Sequence, residues 1–322
     1  MKPNESRSIP YLLFISIRPL QWIKNLALFA PLVFSGFLFY NPVDAPAYFV
    51  TVTIAFVVFS IATSSIYLIN DIVDKNSDSK HPLKQSRPIA SGKLPTPIAL
   101  FTAFIGIFLA LFLSFYFSFF FRLLIITYIL LQLAYSFKLK HIPIFDILVI
   151  AAGFLIRIYA GAVVVNLHMS VWFLLTVISA SLFLAVGKRQ SERTLLKEQL
   201  SSSTRKTLGL YNQRMLDVYT SMFANATWLT YALFTFQTEP SKLQPAFERF
   251  PQLYVLLPRT LQSQKLLMLT IPLVIFGVMR YLILVYEEDK GESPEKVLIN
   301  DKTLLTTVCV FILLTIIIIY LD

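Results

Sequence analysis

The run AYFVTVTIAFVVFSIATSSIYLINDIVDKNSD (47–78) changes character once, at Asn70. Before it no residue is charged; after it Asp71, Asp74 and Asp78 arrive within eight positions. An apolar stretch of this length crosses the ~30 Å hydrocarbon core as a helix rising ~1.5 Å per residue. If that helix continues past the membrane edge at ~100° per residue, Asn70, Asp71, Asp74 and Asp78 share one face over about two turns. Three bare carboxylates so placed repel one another and call for a positive group between them. Magnesium suits the place, because it takes carboxylate oxygens while keeping waters and substrate phosphates. Asp71, Asp74 and Asp78 are therefore the candidate metal ligands, and a magnesium-bound diphosphate the candidate ligand. The competing interpretation is a solvated helix end neutralised by Lys75 and Lys80.

The rest of the chain agrees with a membrane setting. Of 322 residues, 56% are hydrophobic and only 14% charged, and the mean hydropathy is +0.68. A soluble chain of this length needs more polar surface. Apolar runs at about 22–40, 47–70, 97–117, 119–137, 144–165, 170–187, 219–236, 266–286 and 303–321 predict an all-α bundle of nine transmembrane helices. They are continuously apolar rather than alternating, which excludes a barrel. Short connections make residues 1–322 a single membrane-embedded domain, with 71–96 and 188–218 as longer cytoplasmic cap loops. No small-residue cleavage site follows the N-terminal arm, so the first span is expected to stay in the membrane.

Lysine and arginine set the orientation. The N-terminal arm with Lys24 and segments 71–96, 138–143, 188–218 and 280–302 hold 22 of the 28, and the opposite side holds 5. The positive-inside rule then predicts a cytoplasmic N-terminus, an external C-terminus and an active site facing the cytoplasm of an inner membrane. The net charge of +10 reflects this topology rather than a nucleic-acid partner. There is no Walker sequence, no Gly-rich dinucleotide fingerprint and no zinc spacing among the three histidines. Cys309, the lone cysteine, is expected to pack within the last span. The external loop 237–265, with Phe247, Phe250, Tyr254 and Leu256, has an interfacial composition that could border a lipid groove. A homo-oligomer is compatible with the sequence and not required by it.

The residues after the acidic cluster sharpen its chemistry. HPLKQSRPIASGKLP (81–95) stops the helix at Pro82 and brings Lys84, Arg87 and Lys93 onto a Pro- and Gly-punctuated loop. Carboxylates for a metal followed by cations for phosphate oxygens suit a metal–diphosphate. For Lys93, plain topological bias explains the charge equally well. Further basic residues sit on the same rim: Lys24 beside Trp22, Lys138, Lys140 and His141, then Lys188 and Arg189. Tyr135 and Tyr159 are candidates for contacting a sugar hydroxyl. Arg157 stands mid-span in AAGFLIRIYAGA, where a cation demands a partner or a function. Asp146, eleven residues earlier, lies ~16 Å away along a straight helix. Arg157 is therefore expected to meet a substrate phosphate or a carboxylate from another span. Gly153 and Gly161 flank it with small-residue spacing.

NDIVDKNSD (70–78) resembles the first Asp-rich motif, Asn-Asp-x-x-Asp-x-x-x-Asp, of the UbiA superfamily of intramembrane prenyltransferases. RPIASGKLP (87–95) resembles the segment that follows that motif, and AYSFKLK (134–140) is similar to the family's Tyr-containing stretch after the fourth span. Members typically carry a second Asp-rich motif after the sixth span; this chain has GKRQSE (187–192) there, with Lys188 and Arg189 in place of carboxylates. RPLQWIKNLALFAPL (18–32), GKRQSE and RYLILVYEEDKGESPEKVLINDKTLL (280–305) resemble the decaprenyl-phosphate phosphoribosyltransferase subgroup. The resemblance implies transfer of phosphoribose from phosphoribosyl diphosphate to a polyprenyl phosphate, with magnesium as cofactor. The charges agree: one acidic site for a metal, and extra cations for a second anionic substrate.

On this basis Asp71, Asp74, Lys84 and Arg87 are the expected catalytic residues. Lys24, Asn70, Tyr135, Lys138, Lys140, Arg157, Lys188 and Arg189 are the expected substrate-binding set. The lipid phosphate is already ionised near neutrality, so no general base is required. Two rivals remain: a UbiA-like transferase attaching an isoprenoid to a small acceptor, and a transporter or flippase, for which no inverted repeat is evident.

Overall fold

The computed structural model describes residues 8–80, 84–197, 211–238, 265–286 and 294–320. Among the described residues every regular element is helical. A short helix α1 (Ile9–Ser16) precedes a 3-10 helix (Pro19–Phe29) that runs into α2 (Ala30–Phe34). Then come α3 (Tyr48–Val73), α4 (Lys75–Asp78), α5 (Thr96–Ser114), α6 (Phe119–Phe137), α7 (Phe145–Val164) and α8 (Val171–Lys197). The chain ends with α9 (Gln213–Gln237), a 3-10 turn (Leu266–Thr270) leading into α10 (Ile271–Tyr286), α11 (Pro294–Asn300) and α12 (Lys302–Tyr320).

Seven of these passages are long and apolar enough to cross a membrane: α3, α5, α6, α7, α8 to Arg193, Leu266–Tyr286, and α12. The expected spans at 22–40 and 219–236 differ from the other seven. The second corresponds to α9, which is 25 residues long but interrupted by Asn225, Thr227 and Thr230. The first is not a uniform helix. Arg18 has φ 54 and ψ 66, and the eleven residues after it wind as a 3-10 helix. At ~2.0 Å per residue in the 3-10 part and ~1.5 Å in α2, Pro19–Phe34 extends ~30 Å, where an α-helix would give ~24 Å. One end reaches the mouth of α3, through Arg18 and Asp71. At the other, the Leu38 N–H donates to the Tyr320 hydroxyl at 3.0 Å, near the end of α12. The segment thus runs the depth of the bundle in stretched form.

Polar side chains hold this stretched segment. Trp22 Nε1 donates to Ser64 Oγ at 2.9 Å, and the Asn25 amide donates to Ser60 and Thr63 at 3.0 and 3.2 Å, all on α3. On the opposite flank α7 approaches so closely at Gly161 that an added methyl would run into the Leu28 carbonyl. Leu28, Leu32, Val52, Phe59 and Ile125 form the central apolar core around it. Elsewhere the most extensive packing is α8 along α9 and α3 along α5.

One difference from the sequence expectations follows from helix continuity. The helix carrying GKRQSE does not end at 187; α8 continues to Lys197, so the first part of 188–218 is helix rather than loop. Residues 198–210 of that segment lie outside the described residues, as do 239–264 with Phe247, Phe250, Tyr254 and Leu256, and 81–83 with Pro82. Cys309, expected to pack inside, is exposed on α12.

Candidate active site

The acidic face forms much as the periodicity dictates, with one break. α3 ends at Val73 and α4 begins at Lys75, leaving Asp74 at the joint with φ −87 and ψ 1. Asp71 and Asp78 stay on a common side, because one guanidinium nitrogen of Arg87 reaches both, at 3.2 and 2.5 Å. Asp74 turns instead to the ammonium of Lys140, whose side chain is only 2% exposed. Arg18 adds a second guanidinium to Asp71 and lies over the Tyr67 ring at 5.3 Å.

Arg87 reaches its partners because the loop behind it is nailed down. Ile89 and Leu94 are fully buried against Leu68, Ile69, Ala99 and Ala103. Leu94 N–H donates to the Pro88 carbonyl at 2.9 Å, and Gly92 takes the left-handed conformation (φ 75) that closes the turn. Two apolar anchors thus fold the basic loop back over the acids, as its position after the helix suggests. Lys93, on the same loop, is exposed.

These elements enclose a polar cavity of about 150 Å³. Its lining gathers Lys24, Asn70, Asp74, Asp78, Lys84, Arg87, Tyr135 and Lys188 from the expected set, and adds Arg18, Gln21, Gln132 and Glu192. Five of the lining residues are cationic and three are acidic, so the cavity favours a ligand with several negative charges. A larger cavity, about 610 Å³, opens at the other end of α8 among Pro31, Phe34, His168, Trp172 and Phe234. Among the described residues its lining has no lysine, arginine or carboxylate. Charge rather than size therefore makes the cavity at the α3 mouth the candidate active site.

Five expected residues stand outside this lining. Asp71 is buried behind it, held by Arg18 and Arg87. Lys138 is exposed, outside the lining. Lys140 lies behind the cavity as the counter-ion of Asp74. Arg189 is buried in the wall, its Nε 2.7 Å from Asp146 Oδ2. It also pairs with Glu192 and donates to the Tyr135 hydroxyl at 3.0 Å. It therefore braces two residues that face the cavity rather than facing it itself. Asp146 also accepts from Tyr211 at 2.7 Å. Burial pushes the Tyr211 phenol above its ordinary range, and the Asp146 hydrogen bond adds to this.

Arg157 departs furthest from expectation. Its guanidinium donates to Asn25 Oδ1 at 2.7 Å, the Gly153 carbonyl at 2.8 Å and the Tyr128 hydroxyl at 2.7 Å. It lies 4.8 Å from the Tyr128 ring centre. Among the described residues it forms no ion pair with a carboxylate, and it does not line the cavity. Neutral dipoles and aromatic faces solvate this cation, and its visible role is to tie the 3-10 segment to α6 and α7.

The donors present bear on a divalent cation. Asp71 and Asp78 already place oxygens around a single positive nitrogen, and Asp74 and Asp78 line the same cavity. Among the described residues no three His, Cys, Asp or Glu side chains converge as a closed cage. That donor set fits a hard ion which takes one or two protein carboxylates and completes its shell with water and phosphate. It does not fit a fully protein-ligated metal: Asp71 and Asp78 share Arg87 while Asp74 pairs with Lys140.

The residues that sequence reasoning missed are instructive. Arg18 and Gln21 precede Lys24 at intervals of three, a spacing that is unremarkable for an α-helix and meaningful only once the segment is 3-10. Glu192 stood in the quoted GKRQSE with no role; four residues after Lys188, it is one helical turn away on the same face.

The fold and this site define an intramembrane transferase, and the chain belongs to the UbiA prenyltransferase family, whose pattern matches residues 28–300. The fold matches a UbiA homologue from Archaeoglobus fulgidus solved with DMAPP and Mg2+, with TM-score 0.68 and 15% identity, covering 95% of this chain and 98% of that one. Within the family the chain is similar to the decaprenyl-phosphate phosphoribosyltransferase of Corynebacterium glutamicum, at 39% identity over 69% of this chain and 66% of that protein. It is equally similar to the enzyme of that name from Mycolicibacterium smegmatis, at 39% identity over 70% of each chain. A nodulation protein, NoeC, from Azorhizobium caulinodans is 30% identical over 59% of this chain and 60% of that one.

Proposed function

We propose that this protein transfers 5-phosphoribose from phosphoribosyl diphosphate to a polyprenyl phosphate, releasing diphosphate. The observation that carries the proposal is the composition of one cavity: a carboxylate corner beside an excess of cations, with Lys188 and Glu192 where a second acidic motif would face a prenyl diphosphate. The similarity to phosphoribosyltransferases supports the same assignment. The nine-pass arrangement, with α9 and the stretched first segment as the remaining two passes, and a cytoplasmic mouth to the cavity belong to this proposal.

Asp74 and Asp78, which line the cavity, with Asp71 behind them, would hold magnesium, which would supply positive charge to the diphosphate. The remaining work falls to the chain's own residues. Arg87 and Lys84 stand beside the acids and take up negative charge as the diphosphate leaves. Asn70 and Tyr135 offer hydrogen bonds to the sugar hydroxyls. Glu192 and Lys188 flank the opening from α8. Cleavage of the C1–O bond leaves an oxocarbenium-like ribose, and the lipid phosphate oxygen attacks C1 from the opposite face, with inversion. That oxygen is ionised at neutral pH, so catalysis reduces to positioning and electrostatic stabilisation in a partly dry site.

The test is incubation of the purified protein with labelled phosphoribosyl diphosphate and polyprenyl phosphate. Labelled lipid that requires a divalent cation is the expected result. No labelled lipid, together with turnover of a prenyl diphosphate onto a small acceptor, would replace this proposal with the isoprenoid-transfer alternative.

A further inference from the structure

The 3-10 segment sorts its residues into three columns. With 3.0 residues per turn, positions i and i+3 eclipse. Trp22, Asn25 and Leu28 form the inward column: Trp22 and Asn25 bond to α3, and Asn25 and Leu28 are fully buried. Leu20 and Leu26, 44% and 52% exposed, form the outward column with Ile23 between them. Arg18, Gln21 and Lys24 form the third, and all three line the polar cavity. In an α-helix the same three residues would fan over ~120°, which spreads them away from a common opening. Lys24 Nζ donates to Gln21 Oε1 at 2.6 Å, one rung up the column. The column cannot rotate. α3 holds its inward neighbours on one flank, and on the other Arg157 holds Asn25 while Leu28 abuts Gly161.

We propose that this 3-10 winding is the specificity element for the phosphorylated lipid, with Gln21 as the positioning residue that aims Lys24 at its phosphate. The proposal rests on the acceptor assigned above. The side of approach distinguishes the two anionic substrates. The lower rungs of the column, Gln21 and Lys24, adjoin the exposed Leu20 and Leu26, whereas its first rung, Arg18, meets Asp71 at the end of α3. A headgroup arriving from the bilayer meets Lys24 and Gln21 first. Arg18 is already committed to Asp71, on the donor side.

Equilibrium binding of polyprenyl phosphate and of phosphoribosyl diphosphate to the full chain in detergent, each without the other, provides the test. Gln21→Leu should weaken polyprenyl phosphate binding about tenfold, the scale of a lost hydrogen bond to a charged group. Binding of phosphoribosyl diphosphate and the melting temperature should hold within twofold and two degrees, roughly. The double variant Leu20→Gln/Gln21→Leu moves the amide by one residue. In a 3-10 column it stays on the lipid side and acceptor binding remains weak; in an α-helix position 20 faces Lys24 and binding recovers. Recovery in the double variant overturns the proposal. So does unchanged acceptor binding in Gln21→Leu, or an equal loss for both substrates. Because the readout is binding, absence of phosphoribosyl transfer by the native protein overturns the reaction assigned above and not this element.

Discussion

Two buried arginines in this protein are kept in opposite ways. Arg189, on the last turns of α8, sits between the carboxylates of Asp146 and Glu192. Arg157, midway along α7, meets an amide oxygen, a backbone carbonyl and a phenol, with aromatic rings around it. The first is a charge matched by charge at the edge of a polar cavity; the second is a charge matched by dipoles inside the bundle. Neither lines the polar cavity at the mouth of α3. A buried cation in a membrane segment is therefore not by itself a binding residue, because a well-built set of neutral acceptors is enough to hold it.

The comparison is tested first at the site that both arginines support. Asp71→Asn removes a carboxylate that Arg18 and Arg87 both contact. Transfer should fall about a thousandfold while the protein stays folded, measured as labelled lipid product against melting temperature. Activity within tenfold of the native level would remove Asp71 from the catalytic set. Next comes Arg189→Met, which leaves Asp146 and Glu192 buried together without their cation. A loss of about 3–5 kcal/mol is expected, and adding Asp146→Asn should restore part of it. If the double variant is no better than the single one, the pairing is not what Arg189 contributes.

Arg157→Met strands only neutral groups, so the cost should be smaller, about 1–3 kcal/mol. A loss equal to that of Arg189→Met would erase the distinction between the two solutions. The smallest effect belongs to Lys93→Ala. Lys93 is exposed on the anchored loop, and turnover should stay within about twofold of the native value, as for other surface changes. A tenfold loss would place it in the substrate path after all.

How far the sequence carried these conclusions depends on which periodicity each segment follows. α3 and its acids were legible, because an uninterrupted apolar run leaves one helical solution and Asp71 and Asp78 then fall on one side. The fold-back of Arg87 was legible from the Pro- and Gly-rich loop, although the burial of Ile89 and Leu94 that fixes it was not. The extension of α8 past Gly187 was missed because polarity was read as the end of the helix; in fact Arg189, Gln190, Ser191 and Glu192 are polar and buried together. The partners of Arg157 were not legible, because Asn25 and Tyr128 are distant in sequence and uncharged. Arg18 and Gln21 were missed because an α-helical ruler was laid on a segment wound with three residues per turn.

The hydroxyl of Tyr320 also donates to the Leu32 and Val33 carbonyls, at 3.0 and 2.8 Å. These are backbone acceptors that the end of α2 leaves over, and their satisfaction comes from nearly three hundred residues downstream. During synthesis the stretched first segment must therefore wait, incompletely hydrogen-bonded, until α12 has been made. In a Cys309→Ser chain carrying Val33→Cys, a ribosome-stalled intermediate lacking α12 should be open to thiol labelling at position 33, and release of the full chain should protect it.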